Sequence, residues 1–207
     1  MTTLLILTNK GGFIHMKTIY LAGDMLKKGS ILLREQEAKE LRELGHKIYS
    51  PIEDKSINDK TNQTEESNNG LAERIVRNDT RGILNSDVIV IEPHENALGT
   101  MVELGQIKGY KDCARELEAI LERVVKSKCD DSQAVNRLAM ELHFLINKYD
   151  KKVYPHLEDI RRTNIPETGD RRSWGINQYV YGVCLDLTDG KGLYEWDEIL
   201  EELKEVQ

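Results

Sequence analysis

A carboxylate can attack carbon when it is held at the mouth of a ligand site, and Glu103 has the surroundings for that role. It lies in Gly99-Thr100-Met101-Val102-Glu103-Leu104-Gly105, just after the β-branched run Asp87-Val88-Ile89-Val90-Ile91 and the loop that opens at Pro93. In open α/β sheets ligands gather where strands end and helices begin. A carboxylate beside the free amides of a helix start is also favoured in its charged, nucleophilic form. The alternative is that Thr100 and Glu103 form a T-x-x-E capping box, which only satisfies backbone donors. Tyr20 and Asp79 are further polar candidates, with a half-buried strand tyrosine and a solvated helix carboxylate as the plain alternatives. Gly23 and Gly99 either admit a ligand close to the backbone or serve turns. His46, His143 and His156 have no ligand partners at metal-binding spacing, and Cys113, Cys129 and Cys184 form no CxxC pair. A metal site is therefore not expected.

The elements that must position these residues follow from periodicity. Residues 17–22 form a short apolar run closed by Gly23, which predicts a buried strand. Ser30 is placed to cap a helix marked by Leu33, Ala38, Leu41 and Leu44, with Gly45 as its stop. A strand at 47–50 ends at Pro51, and this strand-helix-strand opening predicts a parallel sheet. Residues 53–70 are almost wholly polar and read as a loop. Helical spacing returns over 71–84, the run 87–91 reads as a central strand, and the next helix begins near Met101. Apolar stripes at 112–128 and 131–147, separated by Asp130-Asp131-Ser132, predict a helical hairpin inserted at 111–150. A strand at 152–154, a polar loop at 164–173 and helices at 176–187 and 196–203 complete a doubly wound, mainly parallel α/β domain over 16–207. Residues 1–15 read as a translated leader ahead of a start at Met16, because Lys10-Gly11-Gly12 is what an in-frame ribosome-binding sequence would encode; a tail or extra edge strand is the alternative.

Composition narrows the partners. The 207 residues carry a net charge of -7, which argues against a nucleic-acid polymer as ligand, since phosphate backbones call for a basic face. A single nucleoside carries no phosphate and stays possible. No apolar run is long enough for a bilayer, and three cysteines without ligand spacing suit reduced thiols, so a cytoplasmic protein is expected.

The order of these pieces resembles the nucleoside 2-deoxyribosyltransferase family. The match rests on Ile19-Tyr20-Leu21-Ala22-Gly23, Asn78-Asp79 followed by Asn85-Ser86-Asp87-Val88-Ile89-Val90, and Gly99-Thr100-x-x-Glu103-Leu104-Gly105, with Val153-Tyr154 and Asp159-Ile160-Arg161-Arg162 further on. The resemblance implies that Glu103 attacks the anomeric carbon of a 2-deoxynucleoside, with Tyr20 orienting it and Asp79 holding or protonating the base. It implies deoxynucleoside and free nucleobase as substrates, no cofactor, and a homo-oligomer with shared sites, to which Asn177 would contribute. Gly23, Asp24, Asn78, Asn96, Gly99 and Thr100 fall at the substrate. Two departures stand out. Ala97 occupies a position that is often Asp and contacts the base, leaving His94, Glu95 or Asn96 as substitutes, and Asp24 stands where proline is frequent. A changed site of this kind can instead hydrolyse a nucleoside 5′-monophosphate, whose phosphate Arg161, Arg162, Arg171 or Arg172 would bind. A non-catalytic nucleotide-binding module, with Glu103 only a cap, is the third possibility. Trp174, Tyr179 and Tyr181 could stack on a base, although aromatics at that spacing also serve cores.

Overall fold

The computed structural model describes residues 5–7, 13–59, 61–127, 131–159 and 176–205. Leu5–Leu7 (β1) and Phe13–His15 (β2) pair as an antiparallel ribbon. The main sheet is built from Thr18–Ala22 (β3), Lys47–Tyr49 (β4), Val88–Ile91 (β5) and Lys152–Pro155 (β6). Its order is β4-β3-β5-β6 and every pairing is parallel. The doubly wound α/β architecture expected from the sequence is thus present.

Strand side chains alternate between faces, and that alternation divides the core. Ile19 and Leu21 point to one face, where they meet Ala38 and Leu41 of Lys28–Glu43 (α1) and Ile199 and Leu203 of Trp196–Glu205 (α8). Tyr20 and Ala22 point to the other. There they meet Ile83 of Leu71–Asn85 (α4), Leu104 and Ile107 of Leu98–Lys126 (α5), and Cys184 and Leu187 of Gln178–Leu187 (α7). All four residues of β5 are buried, as their unbroken apolar run requires of a strand covered on both sides. In chain order the sheet reads second, first, third, fourth strand, so the winding reverses between β3 and β5. Crevices for ligands open at such a reversal.

Several local expectations change. Lys27, not Ser30, is the N-cap of α1, because the Ser30 hydroxyl donates to Asp24 Oδ2 at 2.8 Å instead. Gly45 does close that helix, at φ 88°, a left-handed conformation that favours glycine. The polar stretch 53–70 holds two short turns, Lys55–Asn58 (α2) and Glu65–Asn68 (α3), each started by a side-chain cap from Asp54 or Thr64. Capping bonds need no apolar burial, which is why polarity alone did not reveal them. The hairpin's first arm is not a separate helix. It continues α5, which runs 29 residues without a proline, and its second arm is Ser132–Tyr149 (α6). No helix among the described residues is long and apolar enough to cross a membrane.

Candidate active site

Glu103 is brought to the sheet edge by α5, which starts at Leu98, three residues earlier than a Thr100 cap would allow. Ala97 is the N-cap and no side-chain cap bond forms, so the capping-box alternative fails. The Glu103 carboxylate has a different partner: Tyr20 Oη donates to Glu103 Oε1 at 2.8 Å. Tyr20 comes from the centre of β3 and is fully buried. Burial, with the Glu103 charge beside it, pushes the Tyr20 phenol far above its ordinary range, so it remains a donor.

Burial raises Glu103 itself to about 7; the Tyr20 hydrogen bond pulls the other way and the nearby Asp79 charge adds to the rise. Here desolvation outweighs the helix amides, contrary to the expectation of a carboxylate held ionised. Asp79, on the buried face of α4, is raised to about 6, again by burial, with the Tyr49 hydroxyl partly offsetting it. Tyr49 Oη lies 3.2 Å from Asp54 Oδ2 and 3.4 Å from Asp79 Oδ1. Burial would also lift Asp54 and Asp24. Hydrogen bonds reverse that effect, from Ser56 and Asn78 to Asp54 and from Ser30 and the Leu26 amide to Asp24, and hold both below the usual carboxylate range.

A cavity of about 190 Å³ opens here, with Gly23, Asp24, Asp79, Gly99, Thr100 and Glu103 on its wall. Ala97 lines it as well, and no lysine or arginine does so among the described residues. Three of the expected substrate residues, including Asn177, whose expected place is a neighbouring subunit's site, are not on this wall. Asn78 donates to Asp54 and Ser56 and braces the loop instead. Asn96 is exposed, with its amide bonded to His94 Nδ1, and Asn177 is the exposed N-cap of α7. Glu95 is also exposed and off the cavity wall, and His94 is not on it either. Tyr181 is half-buried against the core while Tyr179 is 81% exposed. Arg161, Arg162, Arg171, Arg172, Trp174 and Cys129 lie outside the described residues. Among those described, no group of three or more His, Cys, Asp or Glu side chains could hold a metal ion.

Sequence reasoning missed a buried ionic cluster directly behind this wall. Arg34 is 1% exposed and its Nη2 lies 2.7 Å from Glu37 Oε1 and 3.1 Å from Glu92 Oε2, while Nη1 donates to the Ala22 carbonyl at 3.3 Å. His156, fully buried, closes the group at 3.5 Å from Arg34 Nη1. Burial raises Glu37 to about 8, with Arg34 pulling the other way. The available signal was spacing: Arg34, Glu37, Ala38 and Leu41 fall at i, i+3, i+4 and i+7, one inward face of α1.

This cluster explains Gly23. A Cβ there would stand 2.6 Å from Arg34 Nη1, so the missing side chain makes room for the guanidinium. Because Arg34 is pinned by its bonds, Gly23→Ala is expected to cost about 1–3 kcal/mol in urea unfolding. Unchanged stability would mean the guanidinium can move aside freely. At Gly99, by contrast, a Cβ would meet nothing within 4 Å, so packing does not demand that glycine.

Residues 19–113, from β3 into α5, match the family model described as nucleoside 2-deoxyribosyltransferase, which bears out the motif resemblance over that segment. No curated protein matches. A solved structure of a conserved protein from Enterococcus faecalis V583 is 19% identical, with 93% of this chain and 99% of that one covered and a TM-score of 0.52, and it shares the fold. A solved 2-deoxyribosyltransferase from the psychrotolerant bacterium Bacillus psychrosaccharolyticus is 16% identical over 92% of each chain, with a TM-score of 0.45.

Proposed function

We propose that this chain, whose residues 19–113 carry the nucleoside 2-deoxyribosyltransferase family model, moves 2-deoxyribose from one nucleobase to another through an ester on Glu103. The observation that carries the proposal is the Tyr20–Glu103 hydrogen bond at a cavity whose wall also holds Asp79. One Glu103 oxygen donates its electron pair to C1′ while the C1′–N bond breaks toward the base. Asp79 supplies the proton that the departing base requires. The second base attacks C1′ from the vacated side, returns a proton to Asp79 and restores the Glu103 carboxylate. Two inversions leave the configuration at C1′ unchanged, as in retaining glycosidases.

The first step needs Glu103 charged and Asp79 protonated, whereas values of about 7 and about 6 leave the one shared proton mostly on Glu103, so the reactive arrangement is the minor form of the singly protonated pair. A bell-shaped kcat/KM is therefore expected. Below the lower limb both groups are protonated and no nucleophile remains; above the upper limb both are charged and no proton donor remains. A rate that is flat from pH 5 to pH 8 would refute this sharing.

The deciding experiment is incubation with a deoxynucleoside and a second free base. Appearance of the exchanged nucleoside supports transfer. Free sugar phosphate released from a deoxynucleoside monophosphate, without exchange, would establish hydrolysis instead. Binding without turnover of either substrate would point to a non-catalytic module.

A further inference from the structure

The two carboxylates are not placed independently. β3 and β4 pair in a register that sets Tyr20 directly beside Tyr49. Neighbours in register share a face of the sheet. Their rings stack, with centroids 5.5 Å apart and planes 14° from parallel. Each hydroxyl then serves a different acid, Tyr20 reaching Glu103 on α5 and Tyr49 reaching Asp79 on α4. Beneath the pair lies Gly82, also on α4 and three residues from Asp79. A Cβ on Gly82 would stand 2.6 Å from Tyr49 Cε1 and 2.8 Å from Tyr20 Cε2, so the rings occupy the space a side chain would take. Neither Tyr49 nor Gly82 is on the cavity wall.

We propose that Tyr49 and Gly82 are positioning residues: the stacked tyrosines, seated on the bare backbone of Gly82, fix the separation and orientation of Glu103 and Asp79 as one unit. This inference rests on the proposed transfer for its purpose but not for its geometry. A single aromatic stack linking the strands to both helices means that neither acid can shift without moving a ring that also supports the other. The single Tyr49 hydroxyl proton is shared between Asp79, at 3.4 Å, and Asp54, at 3.2 Å, which ties the unit to the loop that Asn78 braces. The titratable groups facing the stack are Glu103, Asp79 and Asp54, and all three are acidic.

The test is side-chain carboxyl titration by carbon NMR on the full chain, comparing the parent with Tyr49→Phe, Tyr49→Leu and Gly82→Ala. Tyr49→Phe keeps the ring and loses the hydroxyl, so the Asp79 midpoint is expected to climb by roughly half a unit or more while Glu103 moves less. Tyr49→Leu removes the stack, and Gly82→Ala pushes both rings away. In each the Glu103 midpoint is expected to climb as the Tyr20 hydrogen bond lengthens. If Gly82→Ala does not fold, the two Tyr49 variants decide. Folded Tyr49 variants whose Asp79 and Glu103 midpoints both match the parent would overturn the proposal. The titration needs no turnover, so a parent that exchanges no bases refutes the transfer reading while this result stands. An exchanging parent with unmoved variant midpoints refutes only the positioning role.

Discussion

Glu103→Gln is expected to lower sugar transfer by about a thousand-fold or more while making the folded chain more stable at neutral pH. The loss follows from the absence of a charged oxygen to form the ester at C1′; among the described residues no other carboxylate receives the Tyr20 hydroxyl. The gain follows from linkage. Glu103 is raised from an ordinary 4.5 to about 7, so the folded chain disfavours its charged form. Below the ordinary value the carboxyl is protonated in folded and unfolded chains alike, and parent and variant should match. As pH climbs to about 7 the unfolded chain releases the proton first, and the parent loses stability relative to the variant. Above that value the difference is complete, about 1–3 kcal/mol once screening by solvent is allowed for. Urea unfolding at pH 4.5 and pH 8, paired with base-exchange assays, checks both halves. Intact-mass analysis of the parent with a deoxynucleoside alone should show a protein heavier by one deoxyribosyl group, absent in the variant. A variant that transfers normally, or one less stable at pH 8, would contradict the role assigned to this carboxylate.

Arg34→Met is expected to cost about 3–5 kcal/mol, the range for removing one partner of a buried ion pair. The guanidinium answers Glu92, Glu37 and the Ala22 carbonyl at once. Removing it leaves the Glu92 charge buried without its cation and the carbonyl without its donor. Since whole domains are stable by only about 5–15 kcal/mol, a large share of the fold's margin goes with it. Arg34→Lys should recover little, because a single ammonium cannot reproduce a planar fork that meets three acceptors. The double change Arg34→Met with Glu92→Gln should recover a good part, since the stranded charge is then gone. Urea midpoints of the three variants measure this. If Arg34→Met alone unfolds within about 1 kcal/mol of the parent, the cluster is not holding the wall.

How much of this was readable from the chain depends on what each residue advertises. Val88 to Ile91 announce a central strand because a stretch with no polar face has to be covered twice. Glu103, Tyr20 and Asp79 were legible as candidates through their motifs, and the cavity wall holds Asp79 and Glu103 with Tyr20 behind them. The Asn78-Asp79 motif put Asn78 at the substrate, but its partners lie across a loop 22 and 24 residues away, a pairing that spacing cannot reveal. The Arg34 cluster was hidden for the same reason: it joins α1, the end of β5 and the residue after β6. Tyr49 read only as a strand residue, because the stack depends on register, and register is set by the pairing of strands rather than by either strand alone.

The unbroken helix that carries Glu103 is held as a braced beam. It is clamped to the body at Leu104, Ile107 and Ala114, all buried, while 12 residues run on from Ala114 to Lys126. At about 1.5 Å per residue that stretch is about 18 Å. The stretch beyond Ala114 is braced by α6 and by Arg115, whose guanidinium bonds Asp186 of α7, so the attacking oxygen, one residue before Leu104, rides on a rod held along its length.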